Sequence, residues 1–277
     1  MKFAKYQGIG NDFVMLSDPD DGLELTPYLV RSLCDRRFGI GADGVIRVGP
    51  SSRAHFSMDY ANSDGSPSEM CGNGIRCLAV FVRAEGLTDD EVIQVDTLAG
   101  VKSVSVQGER VRVDMGPPIF DPARIPVVLE PGGPDALHTK LELDGATVDA
   151  AVLSMGNPHA VLFVDDVNSV PVATIGPRLE RHAAFPNGAN IEFVTVDSPS
   201  RIRLRVWERG SRETLACGTG ACAAVVASRL LQNSDVNVGV GLRGGELEIE
   251  WAGSTTDEQS VFMTGPATEV FRGEWDA

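Results

Sequence analysis

Two short segments constrain this chain more than anything else in it: Glu69-Met70-Cys71-Gly72-Asn73-Gly74-Ile75-Arg76-Cys77 and Thr214-Leu215-Ala216-Cys217-Gly218-Thr219-Gly220-Ala221-Cys222. Each puts a cysteine ahead of a Gly-rich turn and then runs into an apolar, Ala-rich stretch. That order predicts a cysteine at a helix N-terminus, where unpaired N–H groups and the helix dipole favour an anion or a thiolate. Cys217 follows Cys71 by 146 residues, and the same interval relates Gly10-Asn11 to Gly156-Asn157, Gly44 to Asn190 and Asn62 to Glu208. Polar and glycine positions thus recur in one order around the same kind of cysteine. The simplest reading is two halves of similar fold, each supplying one wall of a shared site.

The rest of the chain narrows the class of function. A formal net charge of −15, from 24 basic and 39 acidic residues, argues against nucleic acid or an anionic membrane surface as partner. The opening Met1-Lys2-Phe3-Ala4-Lys5-Tyr6-Gln7-Gly8 has no apolar run, and no window reaches membrane-spanning length, so a soluble cytoplasmic protein is expected. Five cysteines are too sparse for a disulfide framework. The Cys-x5-Cys and Cys-x4-Cys spacings do not match structural zinc sites, and with four histidines no metal site is expected. Gly39-Ile40-Gly41-Ala42-Asp43-Gly44 lacks the Gly-Lys-Ser/Thr of a phosphate loop.

Alternating and continuous apolar runs predict strands at Phe3–Gln7, Phe13–Leu16, Val45–Val48 and Ala54–Tyr60, then Val92–Val95, Val101–Val106 and Arg110–Met115. After the junction Gly116-Pro117-Pro118, further strands are expected at Thr147–Ser154, Ala160–Val164, Ile191–Val196 and Arg201–Trp207. The closing strands are Val236–Val240, Glu246–Trp251, Ser260–Thr264 and Ala267–Phe271. Helices are expected over Thr26–Phe38, with Thr26 as cap and Pro27 in the first turn, over Val172–Arg181, and after each of Cys71 and Cys217. Pro131-Gly132-Gly133-Pro134 reads as an exposed loop. The fold class is α+β: two pseudosymmetric lobes, each a curved, mostly antiparallel sheet wrapped around a central helix. The expected divisions are residues 1–117, residues 118–264, and a segment 265–277 returning to the first lobe.

Two matched cysteines fit one chemistry better than others. Acyl transfer needs a single nucleophile with a base, and leaves the second cysteine without a role. A redox pair is more often two residues apart. A two-base proton transfer uses both: one thiolate removes a proton from a carbon, the other thiol protonates the opposite face, and the carbon inverts. A substrate carboxylate lying across both helix starts would be held by N–H groups around Gly72-Asn73 and Gly218-Thr219. Glu208 with the carbonyls of its turn would hold an α-ammonium. The substrate is then an amino acid, and no pyridoxal cofactor is required.

On these residues the chain closely resembles the diaminopimelate epimerases. Gly10-Asn11-Asp12-Phe13, Cys71 to Cys77, Met155-Gly156-Asn157-Pro158-His159, Pro186-Asn187-Gly188-Ala189-Asn190, Glu208-Arg209-Gly210 and Cys217-Gly218-Thr219-Gly220 carry the resemblance, which covers essentially the whole sequence. It implies that Cys71 and Cys217 are the paired acid and base in interconverting L,L- and meso-2,6-diaminopimelate, for lysine and peptidoglycan precursors. It also implies lobes that close over the substrate, commonly in a homodimer. Asn62, Asn157, Asn190 and Arg209 match residues that contact the distal amino and carboxylate groups, and Asn11 matches a binding-site position. A dense amide set suits a zwitterionic end, since each amide offers donor and acceptor. Gly44 departs from members that carry Gln there, so main-chain groups or water would serve in its place. His159 stands beside a site turn and is open to a site role or a turn role. Cys77 and Cys222 lie within the apolar stretches and read as core.

Three other functions compete with this one. Another pyridoxal-independent racemase, such as a proline racemase, would share the cysteines, but the asparagines and Arg209 favour a second charged end. A two-lobed solute-binding protein gives no reason for twinned cysteines. A thiol-redox protein predicts no carbon–hydrogen exchange.

Overall fold

The computed structural model describes residues 1–68, 70–129 and 135–276; the loop expected at Pro131–Pro134 lies outside them. The chain divides into two compact units, Met1–Asp114 with Thr264–Ala277, and Met115–Met263.

In the first unit, β1 (Lys2–Gly8) and β2 (Asn11–Ser17) form a hairpin, followed by α1 (Pro27–Cys34), β3 (Gly44–Gly49) and β4 (Phe56–Asn62). Then come α2 (Gly72–Ala84), β5 (Val92–Thr97), β6 (Gly100–Gln107) and β7 (Arg110–Gly116). Neighbouring strands pair in chain order; β2 with β3 and β4 with β5 are parallel, and the remaining described pairings are antiparallel.

The second unit repeats this order. After β8 (Thr139–Leu143) come β9 (Ala146–Ser154), β10 (Pro158–Phe163), α3 (Val172–Glu180), β11 (Asn190–Ser198) and β12 (Arg201–Glu208). The short β13 (Arg212–Glu213) leads to α4 (Gly218–Leu231), β14 (Asn237–Leu242) and β15 (Gly245–Glu250). Here β10 with β11 and β12 with β14 are parallel, and the other described pairings antiparallel. Next, β16 (Val261–Pro266) leads to β17 (Thr268–Glu274), which pairs with β1.

The repeat holds residue by residue. Phe13 faces Gly44 across β2 and β3, and His159 faces Asn190 across β10 and β11, each 146 residues on. Ile46 faces Tyr60, and Glu192 faces Val206. The hairpin turns match as well: Gly10 and Gly156 have φ of 87° and 97°, a left-handed conformation that glycine adopts without strain. Those turns deliver Asn11 and Asn157 to equivalent places.

Each sheet is covered on both faces. In the first unit, Val14, Leu16 and Val45 pack on Val30 and Leu33 of α1, while α2 lies against β1, β2, β3 and β6. In the second, Ala160, Leu162, Ile191 and Phe193 pack with Val172 and Leu179 of α3, while α4 lies against strands β9 to β12, β14 and β15. This double cover explains why the central strands read as continuous apolar runs. It also explains helices that are apolar on nearly every side; in α4 the alanines at 221, 223, 224 and 227 are fully buried.

Two local features differ from expectation. Helix α1 ends at Cys34 instead of continuing to Phe38, because Asp35 turns extended (ψ 121°) and its carboxylate accepts the amides of Arg37 and Phe38 at 2.7 and 2.8 Å. That side-chain bonding competes with further helix. Strand β8 and the two-residue β13 have no counterpart in the expected set; the alternation in β8 is spread over only five residues, TKLEL.

Candidate active site

The two cysteines cap their helices in the same way. Cys71 has φ −133° and ψ 112°, and its Sγ accepts the amide of Gly74 at 3.3 Å. Cys217 has φ −124° and ψ 114°, and its Sγ accepts the amide of Gly220 at 3.4 Å. In each case sulfur occupies the place of the usual serine or aspartate cap oxygen. Both helix starts pack closely at the third helical position, against a flexible side-chain end in one half and a buried carboxylate in the other. A Cβ built on Gly74 would meet Ile46 Cδ1 at 2.7 Å, and one on Gly220 would meet Glu192 Oε1 at 2.8 Å.

Around Cys71, polar side chains form one connected line. Buried Arg76 donates to Gly72 O at 3.1 Å and to Asn73 Oδ1 at 2.9 Å. Asn73 Nδ2 therefore points outward and donates to Asn11 Oδ1 at 3.2 Å. The same oxygen receives the Cys71 thiol at 3.7 Å. Asn11 Nδ2 in turn donates to Asp43 at 2.8 Å. Asp12 braces this turn. Burial alone would raise its carboxyl, but hydrogen bonds from Arg36 and Lys5 outweigh that and hold it at about 2.

Gly44 has no room for a side chain: a Cβ there would lie 2.5 Å from the Tyr60 ring and 2.6 Å from Ala61 O. Asn62 is half-buried and donates to Ser66 Oγ at 3.1 Å.

Around Cys217 the partners change. Thr219 Oγ1 lies 3.5 Å from its sulfur and accepts from Asn157 Nδ2 at 3.4 Å. Asn157 Oδ1 faces His159 Nε2 at 2.9 Å, and His159 Nδ1 faces Glu192 Oε1 at 2.7 Å. Both His159 and Glu192 have no exposure to solvent. Glu208 accepts the Thr214 hydroxyl. Asn190 is used twice, donating to Pro158 O at 3.1 Å and accepting the Arg209 amide at 2.9 Å, which ties down the turn carrying the exposed Arg209 side chain.

This surrounding makes Cys217 a reluctant acid. Burial first, and then the carboxylates of Glu208 and Glu192, push its thiol well above the ordinary range; Thr219 and the Gly220 amide pull the other way. Burial also raises Glu208, against hydrogen bonds from Thr214 and Cys217. Among the described residues, no three His, Cys, Asp or Glu side chains gather as a metal site, and no helix is long and apolar enough to cross a membrane.

The sequence profile described as diaminopimelate epimerase matches residues 3–120 and 151–270, so it takes in both capping cysteines and their asparagines. The chain belongs to the diaminopimelate epimerase family. It is 48% identical to a diaminopimelate epimerase of Moorella thermoacetica over 281 residues, 99% of each chain. It is 50% identical to that of Laribacter hongkongensis, over 99% of this chain and 98% of the other. As a member of the diaminopimelate epimerase family the chain is an enzyme of the isomerase class. Solved structures share the fold at much lower identity. A phenazine biosynthesis protein of the PhzF family from Bacillus anthracis has TM-score 0.71 at 16% identity, covering 100% of this chain and 99% of that one. A probable proline racemase from Agrobacterium radiobacter K84 has TM-score 0.71 at 14% identity, covering 99% and 92%.

Several residues at these helix starts escaped the sequence reading. Glu192 stands in the apolar run Ile191-Glu192-Phe193-Val194, where a lone acid on a buried strand was the available signal. Asp43 and Tyr60 carried no such signal; the fold brings Asp43 to Asn11, and strand pairing sets Tyr60 over Gly44 from β4.

Proposed function

We propose that this epimerase inverts one α-carbon of L,L-2,6-diaminopimelate to give the meso form, with Cys71 and Cys217 as the two acid–base groups and no cofactor. The observation that carries the reading is the twinned cap: two sulfurs, on equivalent residues, each receiving the third amide of its helix. One thiolate takes the α-proton as the C–H bond breaks. The other thiol gives its proton to the opposite face of the same carbon, and is left as the thiolate. The enzyme ends with the roles exchanged, and solvent restores the starting state.

The amides around Gly72-Asn73 and Gly218-Thr219, at the starts of α2 and α4, suit the substrate α-carboxylate and negative charge gathering there in the transition state. Glu208 suits the α-ammonium. Burial is the main reason the Cys217 thiol is raised, and the Glu208 carboxylate adds to it; a cation beside Glu208 offsets that second contribution and so favours the basic form. Arg209 and the carboxamides of Asn62 and Asn157 recognise the distal amino acid end, with Asn11 beside the reacting sulfur and Asn190 holding the Arg209 turn in place. Gly44 contributes main chain only, and His159 acts through Asn157. The functional unit is a homodimer in the cytoplasm.

The test is incubation of purified protein, stripped of any pyridoxal compound, with L,L-diaminopimelate. Chiral chromatography should show the meso isomer growing to equilibrium without added cofactor. No conversion, or conversion only after cofactor is supplied, would overturn the reading. Light scattering at working concentration should give twice the chain mass.

A further inference from the structure

The two halves repeat closely, so the places where they differ are informative. Asn11 and Asn157 are equivalent, yet their carboxamides run in opposite directions. Asn11 presents its oxygen to the helix start, toward Asn73 Nδ2 and the Cys71 thiol, with its nitrogen given to Asp43. Asn157 presents its nitrogen to the helix start, toward Thr219, with its oxygen given to His159.

The cause is an exchange of ionic partners. The first half holds its line from Arg76 at one end to Asp43 at the other. At the equivalent positions the second half has Cys222 and Ala189. It carries instead His159 and Glu192, where the first half has Phe13 and Ile46.

We infer that Glu192 is a positioning residue, which through His159 locks the Asn157 carboxamide with its N–H groups toward the start of α4. The inference rests on the proposed epimerisation for its use, and on geometry for its existence. Glu192 and His159 are fully buried, where a pair with net charge is costly and a neutral pair is favoured. A neutral pair holds two protons. One lies in the Oε1–Nδ1 hydrogen bond, on whichever atom, and the second is placed on Nε2, because the other candidate, Glu192 Oε2, is buried with no hydrogen-bond partner among the described residues, whereas Nε2 has Asn157 at 2.9 Å. Nε2 is then a donor, and Asn157 can answer it only with Oδ1. The nitrogen of Asn157 is left to face Thr219. Glu192 Oε1 also underlies Gly220, the residue whose amide bonds Cys217, so the same carboxylate sets the seat of the helix start. The second half thereby offers a donor to an anionic group of the substrate where the first half offers an acceptor.

The first test needs no activity. In ¹⁵N-histidine-labelled protein, NMR should show a proton on His159 Nε2. A bare Nε2, with the neutral proton on Nδ1, would reverse the Asn157 amide and overturn the inference. Because this arm reads the protein alone, it stands even if diaminopimelate proves not to be the substrate.

The second test is the double variant His159→Phe/Glu192→Ile, which copies the pair with which the first half folds. It should melt within a few degrees of wild type. Loss of one oriented hydrogen bond should raise KM for diaminopimelate about tenfold, with a smaller change in kcat. An unchanged KM would overturn the inference. Asn157→Asp keeps the oxygen that faces His159 but loses the N–H groups, and should show the same rise in KM; if it binds substrate normally, the donor assignment is wrong. Should the double variant fail to fold, the NMR result and Asn157→Asp decide.

Discussion

The sulfur of each site cysteine does two things, and substitution can separate them. Cys71 and Cys217 cap α2 and α4 through Sγ contacts of 3.3 and 3.4 Å to the third amide, and both are proposed to carry the proton. Alanine removes both roles. Loss of an N-cap costs about 1 kcal/mol, which for a chain of this size lowers the melting temperature by roughly 2–4 °C. Serine removes only the chemistry: its hydroxyl is a favoured cap, reaching the same amide, but ionises far less readily than a thiol. The expected result is therefore a split. Cys71→Ser and Cys217→Ser should melt at or slightly above wild type, while turnover of diaminopimelate falls by at least about 10²–10⁴-fold. The alanine variants should be inactive and also less stable. Differential scanning calorimetry reads the first effect and a chiral assay the second. A serine variant that turns over within threefold of wild type would refute the assignment of that sulfur. A serine variant as destabilised as its alanine partner would refute the capping argument.

Other outcomes follow from the same contacts. Gly74→Ala pushes on flexible side-chain ends of Ile46 and Met58, so helix propensity should offset most of the crowding and leave stability within about 1 kcal/mol. Gly220→Ala pushes on the buried Glu192 carboxylate and on Cys217 itself, and should cost about 1–3 kcal/mol in urea unfolding together with most of the turnover. Burial holds the Cys77 thiol at about 12 and Cys34 at about 11, so they stay protonated in the fold while the same thiols ionise in the unfolded chain from about pH 8.5. Their contribution to stability is complete below that pH and is lost as pH rises toward the folded values; urea melts at pH 7 and pH 10.5 should show the decline, and Cys34→Ala should lessen its slope. Arg209→Lys keeps charge but loses the two-pronged grip on a carboxylate, and should raise KM about tenfold with kcat nearly unchanged.

Much of this was legible before any coordinates. The 146-residue interval located the two cysteines, their asparagines and their strands, because a glycine turn and a capping residue are set by local backbone demands that sequence records directly. Strand runs were readable for a related reason: helices cover both faces of each sheet, so apolar residues are continuous. What escaped were properties of contact. Glu192 stands out only as a lone acid in an apolar run; what it does shows once His159 and Gly220 are seen against it. Tyr60 fills the space over Gly44 from the opposite strand, which no spacing reports. The end of α1 depended on one aspartate side chain finding two amides. The opposed amides of Asn11 and Asn157 could not be read from two identical letters, since their direction is imposed by Asp43 in one half and His159 in the other.

In the proposed reaction, different sulfurs take and give the proton. This is tested most directly by proton NMR of the enzyme with L,L-diaminopimelate in deuterated water, followed through the first few per cent of conversion. Meso product should already carry solvent deuterium at the inverted carbon, while unreacted L,L substrate keeps its α-proton. Product that retains the original proton, or substrate that exchanges ahead of inversion, would mean that a single group handles both faces.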